Sequence, residues 1–210
     1  MPEARLLYVP IGHTTHESSS GDIRNNEFVG KLYRGINTFL DKLPTDLSGY
    51  LVFNDSSTPE EVNGLNTRPG QARFAEHLRA NNLTELMVPH DYLTLRLLAR
   101  RARLVNIEDP SILKEQGALI RLGGVNNWTQ AMRDRFEELN KLRDKKIPGE
   151  VDKALKKQKS ARGILFLGAA HQVDQKLEAR GVDFTVPQDI FQYLTADEIA
   201  AQPLFARFIK

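Results

Sequence analysis

Short runs of hydrophobic residues alternate along the chain with segments in which hydrophobic residues recur every three or four positions. Runs such as LLYVPI at 6–11 and ILFLG at 164–168 are typical of strands buried on both faces of a sheet. Periodic segments, such as 28–43 and 128–143, are typical of amphipathic helices. The alternation of the two patterns predicts an α/β fold with a mixed, largely parallel central sheet and flanking helices.

The same patterns predict the remaining elements along the chain. Strands are expected at 6–11, 49–55, 84–90, 102–109, 162–168 and 182–186, and helices at 28–43, 71–80, 92–101, 111–120, 128–143 and 173–179. Thr195 and Glu198 have capping-box spacing for a final helix, and Gly181 can end the helix before it. The IPG sequence at 147–149 predicts a break in the longest helix, which resumes at Val151.

The organisation of the chain favours one α/β domain over residues 1–210. No linker rich in Gly, Pro or Ser separates two parts of the sequence. Residues 111–160 are expected to form a helical segment over the sheet. No apolar run approaches the roughly 20 residues that cross a bilayer, and the N-terminus lacks a signal-peptide pattern. We therefore expect a cytoplasmic protein that does not contact a membrane.

Composition narrows the chemistry that this protein could use. The 210 residues carry a formal net charge of +2, with 40% hydrophobic and 27% charged residues, as in an ordinary globular protein. Cysteine is absent from the sequence, which excludes disulfides and thiol catalysis. Any catalytic group must therefore be a histidine, a carboxylate, another polar side chain or a bound cofactor.

One phrase of eight residues occurs twice, as LLYVPIGH at 6–13 and as ILFLGAAH at 164–171. Each copy ends in a histidine, His13 or His171, just after the predicted end of a strand. Ligands of open α/β sheets bind at this edge, so two pseudo-symmetric strand–turn–His halves would bring both imidazoles to one cleft. Gly168 has no side chain and allows a ligand or another backbone to approach closely.

Other polar residues near predicted strand ends could line the same cleft. His16 and Glu17 follow the first copy, Asp55 ends the FND segment, and His90 ends LMVPH. Each also has a simpler interpretation, because His16 could face solvent from a loop and Asp55 could cap a helix or form an Asx turn. His90 could equally flank the start of a helix.

Two longer segments place charged and polar residues next to predicted strands. The sequence LVNIEDPSILKEQGALI at 104–120 has a predicted strand ending near Glu108, with Gln116 in the next helix. The sequence LRDKKIPGEVDKAL at 142–155, just before the second histidine strand, contains Arg143 and Asp144. The simpler interpretation is that Glu108 lies at the N-terminus of a helix and interacts with the helix dipole. Arg143 and Asp144 would then be a solvated pair.

In this order, the motifs resemble those of the TraB/GumN (PrgY, Tiki-like) families, which are grouped with the erythromycin-esterase-like and ChaN-like proteins. GAAH at 168–171 fits the Gly-x-x-His motif of these families, and the Glu, Gln and Arg-Asp positions above resemble their other motifs. PIGH at 10–13 departs from the motif, since Pro10 stands where glycine is expected, and His16 could replace His13. The resemblance implies a shared α/β pocket. Tiki proteins are peptidases using Mn²⁺ or Co²⁺, esterase-like members use a histidine as general base, and ChaN-like members bind haem.

Two chemistries are open for the predicted pocket. In the first, His13, His171 and Glu108 bind a divalent ion (Mn²⁺, Co²⁺, Zn²⁺ or Fe²⁺), which lowers the pKa of a bound water. Glu17 or Asp55 would then act as general base. In the second, one histidine activates water directly while Glu108 orients its ring. In either case, the Arg143 guanidinium could hold an anionic substrate or the developing oxyanion.

The sequence thus predicts a hydrolase that attacks a carbonyl or phosphoryl group of a small-molecule or peptide substrate. The alternative is a non-catalytic protein of the same fold that binds a ligand or nucleic acid. Residues 141–162 contain nine Lys or Arg residues and three acidic residues, and a second basic cluster consists of Arg96, Arg100, Arg101 and Arg103. Such clusters are more often solvated helix faces than nucleic-acid surfaces when aromatic residues are not interleaved.

Overall fold

The computed structural model describes residues 5–12, 23–55, 57–83, 89–122, 127–158 and 161–209. The strands are β1 (Leu6–Ile11), β2 (Tyr50–Asn54), β3 (Arg103–Val105), β4 (Arg162–Gly168) and β5 (Phe184–Thr185). The helices are α1 (Ile23–Lys42), α2 (Pro59–Leu65), α3 (Arg68–Ala80), α4 (Pro89–Ala99), α5 (Pro110–Arg121), α6 (Gln130–Lys157), α7 (Asp174–Glu178), α8 (Ala196–Ala200) and α9 (Pro203–Ala206). A 3₁₀ helix covers Gln188–Phe191. The predicted α/β fold is confirmed.

The five strands form one sheet in the order β3-β2-β4-β1-β5. Every pairing among the described strands is parallel. The predicted sheet was mixed and largely parallel, whereas the observed pairings are all parallel. At the carboxyl end, Ile11 lies opposite Gly168 and Asn54 lies opposite Phe166. The ends of β1, β2 and β4 therefore meet at one edge, where ligands bind in open α/β sheets.

The core forms because the central strands are apolar along their whole length. In β4 the six residues from Gly163 to Gly168 are buried, which is typical of a parallel strand covered on both faces. Helix α1 contributes Leu32 and Ile36, which are fully buried. Gly35 of α1 lies so close to the 3₁₀ helix that a Cβ atom there would be 1.9 Å from the carbonyl oxygen of Ile190. Only glycine allows this approach.

The predicted break in the longest helix is wrong, because α6 continues through Pro148. A proline inside a helix removes one backbone hydrogen bond. Pro148 is itself buried, and its neighbours Ile147, Val151 and Leu155 have at most 2% of their surface exposed. Burial of this apolar face offsets the lost bond. Helices α5 and α6 supply the helical segment expected over residues 111–160.

Several other boundaries differ from the prediction. Helix α1 begins at Ile23 rather than at residue 28, while β3 and β5 are shorter than predicted. Residues 89–90 belong to α4 rather than to a strand, and residues 84–88 of that predicted strand lie outside the described part. Gly181 has the predicted left-handed conformation, with φ of +70°. Thr195 and Glu198 form the predicted capping box.

Membrane crossing requires a long apolar helix. In the described ranges, the helices are all too short or too polar to span a bilayer.

Candidate active site

Asp55 lies directly after β2 and is buried, with 6% of its surface exposed. One carboxylate oxygen, Oδ1, lies 3.0 Å from His90 Nε2. The other, Oδ2, accepts a hydrogen bond of 3.0 Å from the backbone N–H of Gly168 and lies 3.9 Å from His171 Nε2. Burial raises the pKa of Asp55, but His90, Arg143 and His171 outweigh it and hold this pKa below its ordinary value.

His171, in the turn after β4, forms a pair with Asp144 of α6. The ring atom Nδ1 lies 2.5 Å from Asp144 Oδ1, and the backbone N–H of Gln172 donates to Asp144 Oδ2 at 2.9 Å. Burial raises the pKa of Asp144, but these two contacts lower it below its ordinary value. The ionised carboxylate accepts a hydrogen bond from Nδ1, and in the neutral tautomer that carries this proton Nε2 is the acceptor. A carboxylate at Nδ1 orients the imidazole of a general base in this way.

Arg143 of α6 is the central cation of the site. Its Nε donates to both oxygens of Glu108 at 3.1 Å, and its Nη2 donates to Glu108 Oε1 at 2.5 Å. Its Nη2 also donates to the backbone carbonyl of Asp55, and its Nη1 donates to Gln116 Oε1 at 3.1 Å. Burial lowers the pKa of Arg143, but Glu108 raises it above its ordinary value. The guanidinium therefore stays charged.

Glu108 and Asp91 show how burial acts on the acids near the site. Burial raises the pKa of Glu108, and the contacts with Arg143 oppose this without cancelling it. Asp91 lies in the first turn of α4, next to His90. Burial raises the pKa of Asp91 to about 6, against a lowering effect of His90. The pKa of Asp55 is lowered, whereas the pKa values of Glu108 and Asp91 are raised. Acids with opposite pKa shifts in one region are typical of functional sites.

Arg207, which follows α9, donates hydrogen bonds to the turn that carries His171. Arg207 Nη2 donates to the carbonyl oxygens of Ala169, at 3.1 Å, and His171. The guanidinium also lies over the ring of Phe208, 4.6 Å from its centroid. The C-terminal helical segment thus fixes the backbone on which the catalytic candidate sits.

A cleft of about 580 Å³ opens over these residues. Asp55, Arg143 and His171 lie at its polar end, while residues of α5 and Phe136 of α6 form a wall. Lys114 of α5 also lines the cleft. The site therefore combines ionisable groups with a concave volume large enough for a small ligand.

The structure brings most of the predicted site residues into one network. Asp55, His90, Glu108, Arg143, Gly168 and His171 are connected by the contacts above. His13, His16 and Glu17 lie outside the described residues. The predicted pairing of the imidazoles of His13 and His171 therefore stays a prediction.

Two predicted roles are wrong. Asp55 does not cap a helix, because Thr58 caps α2 and accepts from the Glu61 backbone N–H. Glu108 does not orient the ring of His171, because both of its oxygens accept from Arg143 and the carboxylate at His171 Nδ1 is that of Asp144.

The predicted metal site includes His13, which lies outside the described residues, so metal binding by His13, His171 and Glu108 stays a prediction. No group of three or more His, Asp or Glu side chains within the described ranges has an arrangement suited to a metal ion. The oxygens of Glu108 accept from Arg143, and those of Asp55 are engaged by His90 and the Gly168 N–H.

Intramolecular contacts engage much of the basic surface. Lys141, Lys146, Lys153 and Lys156 each form an ion pair with a nearby carboxylate. Arg96 contacts Asn37 and Asp41, and Arg100 donates to three carbonyl oxygens that follow the last turn of α1 or lie in it. Arg101 pairs with Asp46. Cations engaged in this way offer less charge to a nucleic acid.

Three residues of the site were indicated weakly by the sequence or not at all: Asp144, Lys114 and Arg207. Asp144 is adjacent to Arg143, and consecutive helical residues point in different directions, so one serves Glu108 and the other His171. The Arg-Asp motif was the signal for this pair, but the sequence does not indicate which carboxylate meets the histidine. Lys114 and Arg207 have no local motif that marks them.

The chain matches no protein-family model, no curated protein and no solved structure. The fold and the site define the class, which is an α/β protein with two His-Asp pairs at the carboxyl edge of a parallel sheet. These are the buried pair of His90 with Asp55 and the part-buried pair of His171 with Asp144. Membership of the TraB/GumN families stays a prediction carried by the motifs.

Proposed function

We propose that this protein is a hydrolase in which His171 is the general base and Asp55 orients the attacking water. The observation that carries this proposal is the 3.9 Å separation of His171 Nε2 and Asp55 Oδ2, both in residues that line the cleft. A water molecule about 2.8 Å from each atom would donate one O–H to each. Its lone pairs would then be free to face a substrate.

The proposed reaction is hydrolysis of a carbonyl or phosphoryl compound. The water oxygen forms a bond to the electrophilic carbon or phosphorus, and its proton passes to His171 Nε2. The bond to the leaving group then breaks, and the leaving group takes the proton from Nε2. The Asp144 carboxylate, 2.5 Å from Nδ1, stabilises the transient imidazolium.

The remaining residues hold this geometry. His90 and the Gly168 N–H fix both oxygens of Asp55. Arg143 donates to the backbone carbonyl of Asp55 and lines the cleft, so its positive charge lies near the site where negative charge develops. The resemblance to the TraB/GumN families supports the same class of reaction, with a small molecule or a peptide as substrate.

The test is a comparison of His171→Ala with His77→Ala. His77 is an exposed histidine of α3 whose ring contacts Asn81, so it is a matched control. Turnover of carboxylic and phosphoric esters should fall about 10²–10⁴-fold in His171→Ala and stay unchanged in His77→Ala. Asp144→Asn should also lower turnover, because the ring loses its carboxylate. Equal turnover in His171→Ala and the wild type would overturn the proposal.

A further inference from the structure

We infer that the cleft accepts anionic amphiphiles, whose hydrocarbon part packs against α5 and α6 while the anionic group meets Lys114. This inference rests on the proposed function and names the substrate class of the same site: an ester or amide that also carries an anionic group. It is argued from the charges and the apolar surface of the cleft.

Each charged group at the polar end of the cleft has a partner within the protein. Asp55 contacts His90, Arg143 contacts Glu108, and His171 contacts Asp144. Two of these pairs join a carboxylate to an imidazole, which is neutral when it acts as a base, so the polar end does not attract an anion.

The other polar groups of the lining are also engaged. The Glu61 carboxylate accepts from the Thr58 backbone N–H, and Thr58 Oγ1 accepts from the Glu61 N–H. Gln116 contacts Arg143 and Asn140. The backbone N–H fixes the Glu61 carboxylate but leaves its negative charge, and Gln116 is neutral, so none of these side chains attracts an anion.

Lys114 is different, because its ammonium has no ion pair with any carboxylate in the described ranges. It is an exposed residue of α5 and lines the cleft. A lysine ammonium attracts an anion as a point charge and does not distinguish carboxylate from phosphate by shape. The shared chemistry of the expected ligand is therefore a negative headgroup of either kind.

The wall of the cleft is apolar next to this lysine. Leu113, Gly117 and Ile120 share one face of α5 at three- and four-residue spacing, and Phe136 of α6 joins them. Ile120 is a large apolar residue that is 51% exposed. A hydrocarbon group packed here would remove this surface from water. Lys114 and this wall together select a molecule with one anionic and one apolar part.

The binding test uses four probes of equal chain length: hexanoate, hexyl phosphate, 1-hexanol and hexylammonium. Each is titrated into ¹⁵N-labelled wild type, Lys114→Met and Lys145→Met, and followed by amide chemical shifts. Lys145 is an exposed lysine of α6 outside this cleft, so it is the matched control. We expect the anions to bind the wild type roughly three- to fivefold more tightly than hexanol, because exposed charge pairs contribute up to about 1 kcal/mol.

Lys114→Met should abolish this preference, and Lys145→Met should keep it. The relative affinities of hexanoate and hexyl phosphate identify the headgroup. Equal binding of hexanol and both anions by the wild type would overturn the inference, as would an unchanged preference in Lys114→Met.

A hydrolysis test separates this inference from the proposed function. We expect the wild type to hydrolyse mono-4-nitrophenyl adipate with a several-fold higher kcat/KM than 4-nitrophenyl hexanoate, and His171→Ala to hydrolyse both about 10²–10⁴-fold more slowly than the wild type. Lys114-dependent anion binding without hydrolysis of any ester would support the inference and overturn the proposed function. Hydrolysis that depends on His171 but shows no anion preference would support the proposed function and overturn the inference.

Discussion

Each end of the sheet holds an arginine that donates several hydrogen bonds, but the two arginines have different partners. At the amino end, Arg5 donates to the backbone carbonyls of Leu155, Gln158 and Ala161, all of which are neutral. At the carboxyl end, Arg143 meets the buried carboxylate of Glu108. The first arginine closes the end of α6, whereas the second belongs to a network of ionisable groups.

The two arginines show that ionisable groups concentrate at the carboxyl end of the sheet. Near Arg5, Gly163 lies among apolar side chains. A Cβ atom added at this glycine would lie 2.6 Å from the side chain of Leu6 and 2.9 Å from that of Phe53. Near Arg143, the pKa values of Asp55 and Asp91 are shifted in opposite directions. Burying charges costs free energy, so their concentration at one end favours a role in function over one in stability.

The largest expected effect comes from removing the charge of Arg143. Arg143→Met leaves Glu108 buried without its partner and should lower the free energy of unfolding by about 3–5 kcal/mol. Arg5→Met removes hydrogen bonds to neutral carbonyls and should cost about 1 kcal/mol. Urea unfolding at pH 7 measures both.

The double variant Glu108→Gln with Arg143→Met should recover part of the loss, since no carboxylate is then buried unpaired. Equal costs for Arg5→Met and Arg143→Met would remove the contrast between the two ends.

A smaller effect is expected at the apolar end. Gly163→Ala would force Leu6 and Phe53 to move and should lower the free energy of unfolding by about 1–3 kcal/mol. The amide chemical shifts of His171 and Gly168 should stay close to those of the wild type, because the packing defect lies at the other end of β4. Large shifts at these two residues would show that the ends are not independent.

The ionisation of Asp91 makes the stability of the fold depend on pH. The pKa of Asp91 is raised to about 6 in the fold, against about 3.9 in the unfolded chain. The unfolded chain therefore loses this proton first, and the fold becomes less stable as pH rises from about 4 to about 6. Asp91→Asn mimics the neutral acid, so it should raise the free energy of unfolding at pH 8 by at most about 3 kcal/mol, which corresponds to a shift of about two pKa units, and leave it nearly unchanged below pH 4.

Asp55 has the opposite sign and serves as the control for this prediction. Its pKa is lowered in the fold, so its contribution is present above the unfolded pKa and is lost as pH falls. Stability that is the same in Asp91→Asn and the wild type from pH 4 to pH 8 would contradict the assigned burial effect.

Much of the fold could be predicted from the sequence, because the apolar runs of the central strands are local signals. The limits of β1 and β4 agree with their hydrophobic runs, and Thr195 caps α8 as its spacing indicates. The break expected near Pro148 was wrong, since burial of Ile147 and Val151 decides this region and burial is a property of the whole fold. Tertiary packing outweighed the local preference of proline.

The site was predictable in its location but not in its pairing. Asp55 and His171 follow strands that are adjacent and parallel, so their nearness follows from the strand order. The choice of Asp144 over Glu108 as the partner of His171 depends on how α6 is rotated about its axis. No local pattern fixes that rotation, because Arg143 and Asp144 are both polar and would each suit a solvent-facing position.

The contacts of Arg207 have a practical consequence for detecting ligands. Arg207 joins the turn of His171 to the short helix α9, whose residue Leu204 is 54% exposed. A cysteine introduced at this position would be the sole thiol of the chain, since the sequence contains none. A fluorescent dye attached there would sit outside the cleft and still report movement of the turn when a molecule enters.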